Sequence, residues 1–518
     1  MTHLRQQPSS ISLGLTFVLS FVFAIAYTQL PLFSSNQNTY LLHGIANANI
    51  GLLKYDWLAN TEDPFPIFSF IVTATQEYLH PYFFYLYYFV IQALFAFSVL
   101  GIVSKISNID LNKTTYLTFF IVLAGTCSYV LYWISQQILG SSFNISKVFH
   151  FGLAEQYILG SVFQPSVFGV FLLTSVYAFL CQRPFVAVCL LGVACNLHPS
   201  YLLSGASLTI AYMILQARYD RSIKRSVGIG FASLVLVVPV VLYSYVNFAA
   251  TSPEILKAAQ DITINVRIPH HAIVSSWFSF DDCVKLTFIL IAVYVLRREP
   301  IGTIIAVPFI IGLLLTALQM LTASSFLALL FPWRISAFLV PLSVYILIGK
   351  MISLGYGKAG NTFSGHQPLI NICLVVMVVL LLILGLGSAY KRFQWNSTGE
   401  AVELQQFVSS QPQIRNTLYL VPPHLENFRL NAAVPTFVDY KSHPYKDTEV
   451  IEWYKQYQFS SELYATKGLT MGQCQLALET IQEYGITHIV KEQDNPQFPC
   501  LKLTEIYSNE IYSVHLIH

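Results

Sequence analysis

The stretch "PFVAVCLLGVACNLHPSYLLSGASLTIAYMILQ", residues 184–216, decides how this chain is arranged. It is apolar enough for one long helix, but Pro199 in its middle lacks the backbone N–H that an unbroken helix needs. We therefore predict two short helices, 184–197 and 200–216, joined at "NLHPS". The number of helices in this stretch determines on which side of a membrane every later loop lies.

The composition of the chain indicates a membrane protein. Hydrophobic residues make up 55% of its 518 residues and charged residues 10%, whereas soluble domains average about 25% charged residues. A net charge of +2 gives no reason to expect nucleic acid as a partner. A spanning helix needs about 20 apolar residues, and apolar segments lie at 11–32, 83–104, 115–136, 163–181, 184–197, 200–216, 226–248, 284–296, 301–320, 335–349 and 368–390. We predict a polytopic α-helical membrane protein with about eleven transmembrane helices.

The distribution of basic residues orients these helices. With a cytoplasmic N-terminus and two helices in 184–216, most of the Lys and Arg residues before the last helix fall in inner loops, as the positive-inside rule requires. A single helix would instead place "ARYDRSIKR", residues 217–225, outside. Segment 11–32 lacks a small-residue cleavage site, so we expect a signal anchor. The expected location is the plasma membrane, with the functional face outside.

The composition changes after residue 390, where the pattern becomes that of a soluble domain. Periodicity predicts helices at "AVELQQFVSS", "DTEVIEWYKQYQ" and "CQLALETIQEYG", the last capped by Gly485, and strands at "TLYLVP", "PTFVDY", "ITHIVKE" and "EIYSVHLI". We therefore predict a transmembrane domain over 1–390, with its first outer loop at 33–82, and a small extracytoplasmic α/β domain over 391–518. Cys474 and Cys500 either pair in an oxidising compartment or remain two buried thiols.

Carboxylates in the first outer loop are the candidates for acid–base chemistry. Asp56 lies in "KYDWLANTEDPFP", and a carboxylate there suits a general base. The alternative is that Asp56 caps or solvates the end of an interfacial helix beside Tyr55 and Trp57. Asp63 precedes Pro64, so it is either a second candidate base or a turn residue.

Basic residues in other outer loops are candidates for binding a ligand. Arg334 in "FPWRIS" lies at the mouth of an apolar segment, where it either binds a lipid phosphate through its planar fork or extends to the interface beside Trp333. In "VRIPHHAIVSSWFSFDD", Arg267, His270 and His271 are candidates for contacting phosphate or sugar. Asp281 and Asp282 make a divalent metal possible there, but no spacing requires one.

Three further polar residues are predicted to face the same outer side. His198 in "NLHPS" either reaches a cavity or forms part of a tight turn. Glu155 and Gln156 in "FHFGLAEQY" precede the next apolar segment and are candidates for lining that cavity. The sequence contains no CxxC or Cys/His spacing typical of a metal site, so no metal ligand is assigned.

The order of these features resembles the GT-C superfamily of membrane glycosyltransferases. The first outer loop resembles the sequence pattern of many members at five positions: Tyr40, Ala46, Gly51, Asp56 and Pro64. The stretches "YDWLAN", "NLHPSYLL", "RIPHH", "FPWRIS" and "TFVDYKSHPYKDTEVIEWY" also resemble a bacterial family of GT-C-like membrane proteins. The resemblance implies a sugar donor carried on polyprenyl phosphate and transfer at the outer membrane face.

One departure from the GT-C pattern affects the choice of catalytic residue. Where many members carry an acidic pair before the tyrosine, this chain has Asn36, Gln37 and Asn38. Asp56 and then Asp63 remain as candidate bases. Three functions are therefore compatible with the sequence. The first is a glycosyltransferase that uses a polyprenyl-phosphate-linked sugar as donor. The others are a non-catalytic lipid- or sugar-binding member of the fold in envelope glycan assembly and a transporter of a lipid-linked substrate.

Overall fold

The computed structural model describes residues 13–27, 30–111, 113–127, 137–138, 145–219, 221–359, 367–396, 399–412, 414–465, 471–493 and 501–518. The chain divides into two compact units. The first, which we call the helical unit, comprises Met1–Gln29, Tyr85–Tyr243 and Ile264–Ala389. The second, the mixed unit, comprises Leu30–Phe84, Ser244–Thr263 and Tyr390–His518. The mixed unit thus combines the predicted C-terminal domain with the predicted first outer loop.

The helical unit consists of apolar helices around a core of buried aromatic and aliphatic side chains. Two helices, Ile223–Asn247 and Gln367–Asn396, expose long rows of Val, Leu and Ile, as expected of surfaces that face lipid. The helices that lie wholly or mainly in this unit are Leu13–Ala26, Phe83–Ser107, Lys113–Cys127, Ile145–His150, Val170–Leu180, Pro184–Leu197, Leu202–Tyr219, Ile223–Asn247, Pro269–Ala272, Val274–Trp277, Phe280–Leu296, Pro300–Thr322, Ser325–Leu329, Ser336–Ala359 and Gln367–Asn396.

Six helices in the described residues are long and apolar enough to cross a membrane, so the prediction of about eleven is wrong. They are Phe83–Ser107, Pro199–Tyr219, Ile223–Asn247, Pro300–Thr322, Ser325–Tyr356 and Gln367–Gln394. Leu13–Ala26, Pro165–Leu180 and Pro184–Leu197 are apolar but shorter. A helix of 14 residues such as Pro184–Leu197 is only about 21 Å long, less than the roughly 30 Å of the bilayer core. Residues 128–136 of the predicted 115–136 segment lie outside the described residues.

The predicted break within residues 184–216 is confirmed. The helix Pro184–Leu197 ends at His198, whose backbone is extended, with φ −147° and ψ 101°. A 3-10 turn, Pro199–Tyr201, then starts the helix Leu202–Tyr219. Because proline suits the first turn of a helix but not its interior, Pro199 ends one helix and begins the next. His198 is therefore held at a junction between two helices.

The mixed unit contains a four-stranded sheet in the order β1-β2-β4-β3. The strands are β1 Tyr419–Leu420, β2 His488–Glu492, β3 Leu503–Ser508 and β4 Tyr512–Ile517, with β1 parallel to β2 and the other pairs antiparallel. Because side chains alternate along a strand, Leu420 and Ile489 pack into one core cluster with Trp453. The opposite cluster includes Tyr419 and Val490. The helices of this unit are Gln37–Tyr40, Leu42–Asn47, Pro66–Tyr78, Pro253–Ile262, Glu400–Ser410, Phe428–Ala432, Asp447–Ala465 and Met471–Tyr484.

Most predicted elements after residue 390 are present, with three differences, one of which is the short helix Phe428–Ala432, which was not predicted. "PTFVDY" is not a strand, since Thr436 forms only an isolated bridge to Tyr419, and β3 was not predicted. Gly485 has φ +67°, which confirms the predicted left-handed cap after the helix Met471–Tyr484. Cys474 is disulfide-bonded, whereas Cys500 lies outside the described residues.

Candidate functional site

Arg334 lies at the centre of a polar cluster in the helical unit. It belongs to the short 3-10 turn Pro332–Ile335. Its Nη1 donates a hydrogen bond of 2.5 Å to Gln156 Oε1, and its Nη2 lies 3.0 Å from His198 Nε2. The guanidinium carbon lies 4.9 Å from the centroid of the Tyr201 ring, in a cation–π contact. Three residues selected from the sequence therefore meet at one point.

His198 accepts a hydrogen bond from this arginine. A guanidinium can only donate, so His198 Nε2 carries the lone pair and the ring is neutral. Its Nδ1 lies 3.0 Å from Ser200 Oγ, which accepts the remaining ring proton. Burial, and after it the charge of Arg334, lowers the pKa of His198 well below its ordinary value. The neutral imidazole thus orients the guanidinium without adding a second positive charge.

The charge of Arg334 is not neutralised by a carboxylate within the described part of the chain. Its two polar side-chain partners, Gln156 and His198, are neutral, and its buried Nε has no hydrogen-bond partner there. A partly buried charge costs free energy unless an opposite charge compensates it. The planar guanidinium fork matches the oxygens of phosphate and carboxylate groups. The cluster is therefore suited to binding an anion.

Gln156 reaches Arg334 from a tight loop, residues 151–157. The loop is closed by a 2.6 Å hydrogen bond from Gly152 N to Gln156 O. Ala154 and Glu155 have φ of 52° and 54°, a left-handed conformation that costs a residue with a side chain about 1–2 kcal/mol. Two successive residues of this kind mark the loop as a strained segment of the sort that often accompanies a functional site.

Two neighbouring elements hold the 151–157 loop in place. Leu153 N donates a 2.7 Å hydrogen bond to Ser336 Oγ, at the start of the helix Ser336–Ala359. His271 Nδ1 lies 2.7 Å from Ala154 O. Because a carbonyl oxygen only accepts, His271 Nδ1 carries the proton. These contacts place His271 beside the loop that carries Gln156.

The remaining candidates of the helical unit are Glu155 within this loop, and His270 and Arg267, which lie near His271 in the chain. Burial, together with the neighbouring charge of His270, lowers the pKa of His271 to about 4. The rings of His270 and His271 are 4.1 Å apart. Burial tends to raise the pKa of Glu155, but the ammonium of Lys147 at 3.1 Å outweighs it, so the pKa of Glu155 is lowered and the carboxylate is ionised. Arg267 ends the π-helical turn Thr263–Arg267, directly before Pro269–Ala272.

The structure adds a buried lysine, Lys285, that is not among the candidates chosen from the sequence. Lys285 Nζ lies 3.2 Å from Asp282 Oδ1 and donates to Gly152 O of the loop at 3.2 Å. Asp282 also completes a capping box with Ser279, so it has a structural role in the helix Phe280–Leu296. Asp282 and Lys285 are three residues apart along a helix, a spacing that brings side chains together. This spacing was the signal in the sequence that could have indicated the pair.

Asp56 occupies a buried position in the mixed unit. Its Oδ1 accepts from the backbone N–H groups of Leu58 and Ala59, at 2.9 and 3.2 Å. Its Oδ2 accepts from Arg429 Nε and from Thr436 N, both at 2.9 Å. The residue is 0% exposed. A base must reach the proton that it removes, so this geometry gives Asp56 a structural role and the catalytic prediction is not carried forward.

Arg429 bridges Asp56 to a second buried carboxylate, Asp439. Burial raises the pKa of Asp439, while Arg429 and the N–H of Ser442 oppose that effect. Burial would lower the pKa of Arg429, but the two carboxylates outweigh it and raise that pKa. The guanidinium therefore stays charged, and the group ties residues 56–59 to residues 429–442.

Asp63 has a different environment from Asp56. Its Oδ1 accepts from Phe65 N at 2.8 Å, which forms the turn before the helix Pro66–Tyr78. The residue is partly exposed and lines a pocket of the mixed unit. The Asn36–Asn38 segment, which replaces the acidic pair, leads into the helix Gln37–Tyr40, with Gln37 and Asn38 buried.

Comparison with known proteins gives a family match in the mixed unit. Residues 409–458 match the model of a family described as a domain of unknown function, DUF6798. This segment lies in the mixed unit and includes Arg429 and Asp439. No curated protein matches the chain. Among the described residues, no group of three or more His, Cys, Asp or Glu side chains is arranged to hold a metal ion.

Proposed function

We propose that the helical unit binds the phosphate group of a polyprenyl-phosphate-linked sugar at the cluster of Arg334, His198 and Gln156. The observation that carries the proposal is the guanidinium of Arg334, which is partly buried, bonded only to neutral side chains and left with a buried, unpartnered Nε. A bound anion would compensate the charge of such a group. The planar fork favours phosphate.

The surroundings of the cluster support a lipid-linked phosphate over a soluble one. Arg334 lies in the turn within the apolar segment Ser325–Tyr356, and His198 directly precedes the apolar segment Pro199–Tyr219. A phosphate that arrives on a polyprenyl chain keeps its tail in the hydrocarbon while its headgroup meets the arginine. The resemblance to GT-C proteins supports a sugar as the group that the phosphate carries.

A second candidate function is transfer of that sugar to an acceptor hydroxyl. The observation that favours it is the carboxylate of Glu155, which is ionised and belongs to the same loop as Gln156. Transfer needs a group that accepts the proton of the hydroxyl, and Asp56 is enclosed. Glu155 replaces Asp56 as the candidate base in this proposal.

The proposal is tested by binding undecaprenyl phosphate to the full-length protein in lipid nanodiscs. Arg334→Gln should weaken binding about ten- to a hundredfold, because a hydrogen bond to a charged group contributes roughly 1.5–3 kcal/mol. Arg334→Lys should restore only part of the affinity, since an ammonium lacks the planar fork. Arg298→Gln is the matched control, because Arg298 is an exposed arginine of the same unit.

Undecaprenol, which lacks the phosphate, is the second control. Equal binding of the alcohol and the phosphate would contradict the proposal, as would unchanged affinity in Arg334→Gln. The same samples, loaded with the sugar-bearing lipid and an acceptor, test the second candidate function, which is sugar transfer. Sugar release that is lost in Glu155→Gln, with lipid affinity kept, supports transfer, whereas binding without release in the wild type favours a binding protein.

A further inference from the structure

We propose that an exposed surface of the mixed unit docks onto the anionic phospholipid headgroups of a membrane. The surface, which we call the Tyr55 patch, consists of Ile50, Lys54, Tyr55, Ile414 and Arg415. All five residues are exposed, and all belong to the mixed unit. The inference therefore does not depend on the phosphate cluster of the helical unit.

Two cations contact the ring at the centre of the Tyr55 patch. The Lys54 ammonium lies 5.2 Å and the Arg415 guanidinium carbon 5.1 Å from the centroid of the Tyr55 ring. Such cation–π contacts attract a cation to the ring but leave its charge in place. Neither cation forms a salt bridge within the described part of the chain. Two like charges held at one ring repel each other, and a bound anion offsets that repulsion.

Apolar side chains flank the two cations. Ile414 is 65% exposed and directly precedes Arg415, and Ile50 is 38% exposed and begins the turns that lead to Lys54 and Tyr55. A partner that covers these isoleucines gains free energy by removing apolar surface from water. A free anion or the phosphate backbone of a nucleic acid would satisfy the cations alone. A bilayer surface offers phosphates to the cations and an acyl-chain boundary to the apolar side chains.

Backbone contacts hold both halves of the Tyr55 patch in place. In the first half, Leu52 N donates a 2.9 Å hydrogen bond to Ala433 O, and the enclosed Asp56 directly follows the patch. In the second half, a 3.1 Å backbone hydrogen bond closes the turn 414–417 immediately before β1. The patch is therefore ordered before it meets a partner, which lowers the entropic cost of binding.

The rest of the chain keeps the mixed unit near lipid. Six helices in the described residues are long and apolar enough to cross a membrane, so the mixed unit is tethered to a bilayer. Tethering raises the effective concentration of headgroups at the patch. Each Lys or Arg near an anionic membrane surface strengthens binding about fivefold. Two cations and two isoleucines are few for a soluble protein, but they are sufficient for a tethered unit.

The proposal is tested by fluorescence quenching on the full-length protein in nanodiscs. A fluorescent label is attached at Ile414→Cys in a variant otherwise free of unpaired cysteines, and the quencher is a lipid with a spin label on its headgroup. The nanodiscs contain phosphatidylcholine alone or an equal mixture with phosphatidylglycerol. We expect stronger quenching in the mixture. The difference should shrink at high salt, because salt screens exposed charges.

Charge substitutions identify the groups that respond to phosphatidylglycerol. Lys54→Gln and Arg415→Gln should each lower the equilibrium constant between the docked and free states about fivefold in the mixture. Lys502→Gln is the matched control, because Lys502 is an exposed lysine of the mixed unit and forms no salt bridge within the described residues either. It should leave the quenching unchanged. Equal effects of Lys54→Gln and Lys502→Gln would contradict the proposal.

A label at Ile506→Cys is the positional control. Ile506 is 37% exposed and lies on β3, at the opposite edge of the sheet from β1, and three strand spacings separate these edges by about 14 Å. This label should not respond to phosphatidylglycerol. Equal quenching at Ile506 and Ile414, or at Ile414 in both kinds of nanodisc, would overturn the proposal. A response at Ile414 to dissolved polyglutamate but not to phosphatidylglycerol would also overturn it and would indicate an acidic protein partner.

Discussion

At the scale of single residues, the neutral partners of Arg334 determine what the cluster can bind. An acidic partner would neutralise the guanidinium and repel phosphate, whereas Gln156 and neutral His198 fix its orientation and leave its charge. The lowered pKa of His198 belongs to the same arrangement, because burial and Arg334 both oppose a second positive charge. The cluster thus combines a fixed fork with an uncompensated charge.

The lowered pKa of His271 predicts a loss of stability in acid. Its pKa is 6.5 in the unfolded chain and about 4 in the folded protein, so the unfolded state binds more protons between these values and stability falls as pH falls through this window. The loss approaches roughly 3 kcal/mol at the acid end. His271→Asn keeps a donor for Ala154 O and removes the titration. Its apparent melting temperature should therefore fall less between about pH 7 and about pH 5 than that of the wild type.

A second buried histidine and one control variant bear on the His271 measurement. His150 has a pKa lowered to about 3, first by burial and then by Lys285, so part of the acid sensitivity should remain in His271→Asn. His424→Asn serves as the comparison, because the side chain of His424 is 64% exposed. An identical pH profile for wild type and His271→Asn would contradict the prediction. The charged groups that act on His271 are His270, Arg334 and Glu155.

The sequence identified many of the relevant residues but could not assign their roles. Arg334, His198 and Gln156 were selected because each is a polar residue in a predicted outer loop, and they lie together. Asp56 was selected by the same reasoning, yet its partners Arg429 and Thr436 are more than 370 positions away in the chain. A lone carboxylate in a sequence does not reveal a distant arginine that will bury it.

At the scale of elements, the 151–157 loop connects the cluster to the helix Ser336–Ala359. A Cβ added at Gly152 would lie 2.4 Å from Ser336 Oγ and 2.6 Å from Ala337 N. Gly152→Ala must therefore move the loop or the start of the helix, at a cost of about 1–3 kcal/mol. Because the loop carries Gln156, this variant should also bind undecaprenyl phosphate more weakly. Thermal unfolding and the nanodisc binding assay measure the two effects.

Gly387→Ala is the control for the Gly152 prediction. Gly387 lies in the helix Gln367–Asn396, and a Cβ there meets nothing within 4 Å. This substitution should be neutral or stabilising by up to about 1 kcal/mol, because alanine favours helix over glycine. If Gly152→Ala unfolds at the wild-type temperature and binds lipid normally, the loop does not position Gln156 in the way described.

Elements with strong local signals were the ones that the sequence predicted well. Pro199 ended a helix as expected, and Gly485 took the left-handed cap. "PTFVDY" failed as a strand although its composition favours one, because Thr436 is drawn into the buried group through its N–H and carbonyl. Tertiary contacts of this kind override β-propensity.

At the scale of the whole molecule, apolar composition indicated a helical membrane protein but overestimated the number of helices that are long enough to span. Short apolar runs such as 184–197 form helices that are shorter than a full span, with one face packed in the helical unit and the other exposed. The segment 284–296 belongs to the helix Phe280–Leu296, which carries the buried pair of Asp282 and Lys285. Hydropathy measures how apolar a segment is, and it does not separate burial in protein from contact with lipid.

The orientation of the chain can be tested at the helix Ile223–Asn247, which has 25 residues. A helix of that length extends about 37 Å, enough to cross a bilayer core of about 30 Å. The basic stretch 217–225 includes the first residues of this helix, so the positive-inside rule predicts that this end is cytoplasmic and that the helix Pro253–Ile262 lies on the other side. Single cysteines at Ser222→Cys and Ala258→Cys keep every basic residue in place. In cells that express a variant otherwise free of unpaired cysteines, an impermeant maleimide should label Ala258→Cys in intact cells and Ser222→Cys only after permeabilisation. Labelling of both positions from the same side would show that Ile223–Asn247 does not span. A reversed pattern would place the basic stretch outside. That result would contradict the charge argument, on which the outer location of Arg334 depends.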